Sequence, residues 1–153
     1  MKTAEDVLNE KGKEIFSVPK EATVFDALKV MNEKKIGAIL VKDENEYVGI
    51  WTERDLMKNT IIENFDPKSA KMVDQMNTGL KFCEHNNTVY QLQDKFLGMR
   101  LRHLLIQKEG KFIGLLSAGD VMKTILNEKE KELEDLNAIA SWEYYENWRW
   151  DKK

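Results

Sequence analysis

The sequence predicts an α+β protein: two β-α-β-β-α repeats packed through their sheets with pseudo-twofold symmetry, followed by a C-terminal helix. Three observations predict it. The stretch "GIWTERDLMK" (Gly49–Lys58) returns as "GLLSAGDVMK" (Gly114–Lys123), with glycine, a hydroxyl residue, aspartate and Met-Lys at matching places. Around that echo, Thr23–Lys58 lies over Thr88–Lys123 without a gap, and the apolar runs keep register. Each copy then passes from helical to strand periodicity in the same order.

Each repeat builds up alike. Short strands are expected at Ile15–Val18 and Leu80–Glu84. Thr23-x-x-Asp26 and Thr88-x-x-Gln91 then read as capping boxes that start a helix. Val24, Leu28 and Met31 form one apolar stripe, and Val89, Leu92 and Phe96 form the other. "IGAILV" (Ile36–Val41) and "LRHLLI" (Leu101–Ile106) follow as strands. Polar turns lead from these into "YVGIW" and "FIGLL", which completes a hairpin. These runs are continuously apolar, so a sheet covered on both faces is expected. The second helix begins after Thr52 or Ser117.

A unit of about 55–60 residues is marginal alone. The two are therefore expected to form one compact module: residues 1–66 as the first repeat with an N-terminal helix, 67–127 as the second, and 128–153 as a charged and aromatic helical tail. Cys83, the only cysteine, rules out an internal disulfide and reads as a small buried apolar residue. His85 reads as part of a surface loop.

The bulk properties narrow the function. The net charge is −3 with mixed signs along the chain, which gives no electrostatic pull toward nucleic acid or an anionic membrane. No run reaches the roughly 18 apolar residues of a membrane span. The opening "MKTAEDVLNEKGKE" lacks the apolar stretch of a secretion signal, so a cytoplasmic protein is expected. No acid/base pair, metal cluster or glycine-rich nucleotide loop stands out, so no enzymatic activity is expected.

The recurring sentence carries the candidate site. Thr52-x-x-Asp55 and Ser117-x-x-Asp120 are helix-start boxes, and capping alone explains such a box. The same residues also offer a hydroxyl, the first N–H groups of a helix and an aspartate one turn in. That set suits a ribose phosphate, with the preceding strands as a flat wall for a base.

The succession "IGAILV", "VGIWTERD", "MVDQMN" and "RHLLIQKEGKFIGLLSAGDV" resembles a tandem pair of CBS (cystathionine β-synthase) domains, a Bateman module, over about residues 5–127. The resemblance implies a regulatory sensor that binds an adenosine-containing ligand (AMP, ADP, ATP or NAD) between its repeats. It implies no catalytic cofactor, and it implies a homodimer or higher homo-oligomer that signals to an effector protein. By the same resemblance Asp55 and Asp120 hold ribose hydroxyls, and Thr52 and Ser117 meet phosphate or ribose. Ile36, Gly37, Ala38 and Leu101 bracket the adenine. Arg102, His103 and Arg54 lie toward the phosphates, and Thr23 and Thr88 lie at the cleft edges. The repeats differ, with Gly37-Ala38 against Arg102-His103 and Glu53-Arg54 against Ala118-Gly119, so the two clefts are expected to be unequal. The alternative is a scaffold of the same fold without a ligand.

The tail lies outside the resemblance. Glu128–Asp135 reads as a solvated helix. Leu133, Leu136, Ala140, Tyr144 and Trp148 form one stripe, with Trp142 roughly opposite. Aromatics on two sides call for a neighbour, and a second copy of the chain is the expected one.

Overall fold

Threonine and serine open the helices of both repeats. Thr23, Thr52 and Thr88 each accept a hydrogen bond from the N–H three residues on, and the Asp26, Asp55 or Gln91 side chain answers to the cap's own N–H. Ser117 and Asp120 make the same reciprocal pair. Four orphan N–H groups per helix start make such boxes worth about 1 kcal/mol each.

The computed structural model describes the backbone of residues 1–151 and the side-chain surroundings of residues 1–138. Helix α1 (Ala4–Lys11) comes first. The first repeat follows as β1 (Ser17–Pro19), α2 (Val24–Lys34), β2 (Ala38–Asp43), β3 (Glu46–Thr52) and α3 (Glu53–Thr60). After α4 (Met72–Gln75) the second repeat runs β4 (Phe82–Glu84), α5 (Val89–Met99), β5 (His103–Lys108), β6 (Lys111–Ser117) and α6 (Ala118–Asp151). Each repeat folds a three-stranded sheet, ordered β1-β2-β3 or β4-β5-β6. The short strand is parallel to the middle one and the hairpin is antiparallel. The β5–β6 turn places Glu109 and Gly110 both at positive φ, the backbone of the tight hairpin turn that matches strand twist.

The sheets are covered on both faces, as the apolar runs imply. Ile39, Val41 and Trp51 pack with α2 in one core; Leu104, Ile106 and Leu116 pack with α5 in the other. Leu40 and Leu105 point the other way and are still fully buried. The two second faces approach each other where Ile50, the cross-strand partner of Leu40, and Leu105 line one cavity.

The repeats also exchange helices. By sequence α1 leads the first repeat, but Ala4, Val7 and Leu8 sit in the second core with Cys83, Val89, Leu92 and Phe96. Met72 of α4 sits in the first core beside Val24, Met31 and Trp51. Glycine makes both seats possible: a Cβ at Gly114 would run into Leu8, and one at Gly49 would run into Met76. Backbone bridges pin both crossings, Thr3 to Thr88 and Lys71 to Thr23. His85 lies in the part-exposed turn after β4, as expected of a surface loop, and joins this clasp with its Nδ1 3.0 Å from Glu5 of α1. Lys108, 2.8 Å from the same carboxylate, holds Glu5 below the usual carboxylate range. A buried relay ties the first half together: Trp51 Nε1 donates to Asn59 (3.0 Å), whose amide donates to Gln75 (2.8 Å).

Cys83 is buried, and burial pushes its thiol up to about 11. Helix α6 continues unbroken from the second repeat into the tail. Leu133 and Leu136 are exposed on it, while the surroundings of Ala140, Trp142, Tyr144, Tyr145, Trp148 and Trp150 lie outside the described side chains. Among the described residues no helix is long and apolar enough to cross a membrane.

If α1 is part of the second core, Leu8→Ala costs about 2–5 kcal/mol of stability, the range for a buried leucine. Urea unfolding checks this. A change within about 0.5 kcal/mol, as for a surface residue, would mark α1 as an appendage instead.

Candidate functional site

Two clefts open between the repeats, related by the internal symmetry. Each is framed by the strand end and helix start of one repeat and by the helix-to-strand corner of the other. The first holds ≈ 550 Å³ and joins Thr52, Arg54 and Asp55 to Arg100, Leu101, Arg102 and His103. The second holds ≈ 230 Å³ and joins Ser117 and Asp120 to Lys35, Ile36, Gly37 and Ala38. Small-molecule sites usually enclose about 300–1,000 Å³, so only the first has room for a nucleotide as it stands.

Asp55 is the best-held group in the first cleft. Its Oδ2 accepts from the Thr52 N–H (2.9 Å), the Thr52 hydroxyl (3.0 Å) and the Asn77 amide (2.7 Å). All three bonds land on one oxygen. Oδ1 carries none of these bonds, and on a residue that is 7% exposed and lines the cleft it is the acceptor left for a diol. Asp120 is arranged likewise, its Oδ2 accepting from the Ser117 N–H (2.8 Å) and the Lys11 ammonium (2.6 Å). Burial pushes Asp120 up, but Lys11 and the Ser117 N–H outweigh it and hold the carboxyl below its ordinary range.

The helix starts offer less to an anion than the sequence implies. The Glu53 N–H donates to Gly37 O (3.1 Å) and the Ala118 N–H to Arg102 O (2.8 Å). The Thr52 hydroxyl is occupied by Asp55 in both directions. Positive charge comes from side chains instead. Arg54, Lys58, Lys81, Arg100 and Arg102 line the first cleft against two acids, Glu53 and Asp55. His103 adds no charge at neutral pH, because burial, then Lys11, hold its imidazole below the ordinary value.

The expected site residues separate into two groups. Thr52, Arg54, Asp55, Leu101 and Arg102 gather in the first cleft; Ile36, Ala38 and Asp120 gather in the second; Gly37, His103 and Ser117 line both. Ile36 and Ala38 therefore do not share a base wall with Leu101, because the symmetry sends the two corners to opposite clefts. Thr23 and Thr88 line neither cleft. They are consumed as caps of α2 and α5 and as partners of Lys71 and Thr3. Sequence reading missed Asn77–Lys81, the linker beside the first cleft, and Lys11, which reaches the second cleft only because α1 crosses over. Arg100 was also missed. Its signal was its alignment with Lys35: both end their helices in the left-handed region and both line a cleft.

Comparison with known proteins identifies the family of the fold. A family model described as the CBS domain matches residues 4–61 and 70–127. The mitochondrial CBS domain-containing protein CBSX3 of Arabidopsis thaliana is 31% identical over 151 residues, covering 93% of this chain and 73% of that protein. A signal-transduction protein with CBS domains from Burkholderia ambifaria, described as putative, has a solved structure that superposes with a TM-score of 0.78 at 32% identity, covering 82% of this chain and 95% of that one. The crystal structure of CBSX2 in complex with AMP superposes with a TM-score of 0.68 at 24% identity, covering 84% and 99%.

The depressed Asp120 carboxyl carries a pH signature. A group whose folded value is lowered stabilises the protein above its unfolded value and loses that contribution as pH falls through the folded one. Asp120→Asn should therefore be less stable than the parent at pH 7, with the gap closing below about pH 4, where carboxylates protonate. Urea midpoints at the two pH values measure this. A gap unchanged by acid would mean that the Lys11 pair adds nothing.

Proposed function

The chain belongs to the CBS domain family, and from that premise we propose that it is a regulatory module that senses an adenine nucleotide in its first cleft. The observation that carries this reading is the convergence, in ≈ 550 Å³, of a fixed Asp55 acceptor with five basic side chains. Ribose hydroxyls donate to Asp55 Oδ1. The base lies against Leu101, Leu105 and Ile50, beside Gly37. Phosphates face Arg100, Arg102, Lys58 and Lys81. AMP in the CBSX2 structure supports the choice of ligand class, and AMP, ADP, ATP and NAD all offer the same adenosine.

The module acts by differential binding. A nucleotide that bridges the two repeats favours the arrangement in which both walls reach it, and that bias is what an effector protein reads. Self-association through α6 and its tail belongs to the same reading. Turnover does not: the ligand is bound and released unchanged.

Three measurements test the proposal. A nucleotide at about 100 times its dissociation constant should stabilise the protein by about 2.7 kcal/mol, which a thermal-shift panel of AMP, ADP, ATP and NAD detects. Asp55→Asn should weaken binding about 10- to 100-fold, the value of a hydrogen bond to a charged group, while Asp120→Asn leaves it near the parent value. Chromatography after incubation with ATP should return ATP alone. Equal affinity in all three proteins, or no shift with any nucleotide, counts against the reading.

A further inference from the structure

The two clefts are latched at matching points by unlike residues. In the first, the Asn77 amide donates both to the strand carbonyl of Ile50 (3.3 Å) and to Asp55 Oδ2 (2.7 Å). In the second, the Lys11 ammonium donates both to the strand carbonyl of Leu115 (3.2 Å) and to Asp120 Oδ2 (2.6 Å). Ile50 and Leu115 occupy the same place in the two copies, as do Asp55 and Asp120. Both donors also come from a crossing segment, Asn77 from the turn after α4 and Lys11 from the last turn of α1.

The chemistry of the two latches differs. A neutral amide orients Asp55 and leaves its full charge available to a ligand's hydroxyls. An ammonium cancels the charge of Asp120, and its long stem lies along the wall of the smaller cleft. A diol approaching Asp120 meets a carboxylate whose charge the ammonium already neutralises, so its hydrogen bond gains less there than at Asp55.

We propose that this latch residue, Asn77 in one cleft and Lys11 in the other, decides which cleft accepts a nucleoside. Lys11 keeps the second cleft shut, so one chain takes one ligand. The proposal rests on the reading of the first cleft as the nucleotide site, and exchanging the latches separates the two ideas.

Calorimetric titration with AMP is the experiment, on the full chain, with circular dichroism to confirm that each variant folds. The parent should bind one equivalent, Lys11→Asn two and Asn77→Lys none. Lys11→Met removes the charge but keeps much of the stem on the cleft wall, and should gain the second site as Lys11→Asn does. Lys11→Arg keeps the charge and should remain at one. Two equivalents in the parent, or a single equivalent in both neutral Lys11 variants, would overturn the proposal. If the parent binds nothing and Lys11→Asn binds one, the latch stands and the first-cleft reading falls. If neither binds, both fall.

Discussion

Each half of this protein completes the core of the other, and everything else depends on that exchange. Leu8 of α1 seats on Gly114 in the second core, and Met76, just past α4, seats on Gly49 in the first. Neither repeat buries its hairpin without the other's segment. The marginal size of each unit makes the exchange necessary, and glycine at two matching strand positions makes it fit. Two further constraints then fix the geometry. Leu40 and Leu105 are fully buried on the sheet faces turned away from the two cores, and the backbone bridges Thr3–Thr88 and Lys71–Thr23 hold the crossings.

Clefts follow from this packing as its by-product. Where the symmetry axis brings a helix start of one repeat against a strand corner of the other, space remains on either side. The capping boxes that start α3 and α6 leave an aspartate on the rim of each space. Residue differences between the copies make the spaces unlike. One is wide, basic and served by a neutral amide; the other is narrow and occupied by a lysine of the same chain. A protein with two related clefts thus gains a reason to treat them differently.

Much of this was legible in the sequence. The echo of Gly49–Lys58 in Gly114–Lys123 gave the repeat, the boxes gave the helix starts, and the apolar runs gave strands covered on both faces. Asp55 is legible from its place in the helix-start box after a strand, Arg54, Leu101 and Arg102 from the family resemblance, and the four gather in one cleft. What was not legible depends on long-range crossing. Nothing local in "AEDVLNEK" says that its apolar face enters the second core or that Lys11 ends beside Asp120. The resemblance groups Ile36 and Ala38 with Leu101 around one base, whereas the twofold arrangement places them in different clefts. Thr23 and Thr88 carried the same capping signal as Thr52 and Ser117, and only the fold distinguishes a cap at a cleft from a cap at a bridge.

The central claim is that the seam between the repeats holds one nucleotide, with its ribose on Asp55. A crystal structure grown with saturating AMP tests it most directly. The account predicts density in the first cleft, with both ribose hydroxyls within hydrogen-bond distance of Asp55 Oδ1 and the phosphate among Arg100, Arg102 and Lys58. It also predicts Lys11 still seated on Asp120. Nucleotide found instead beside Asp120, or a first cleft left holding only water, would contradict it.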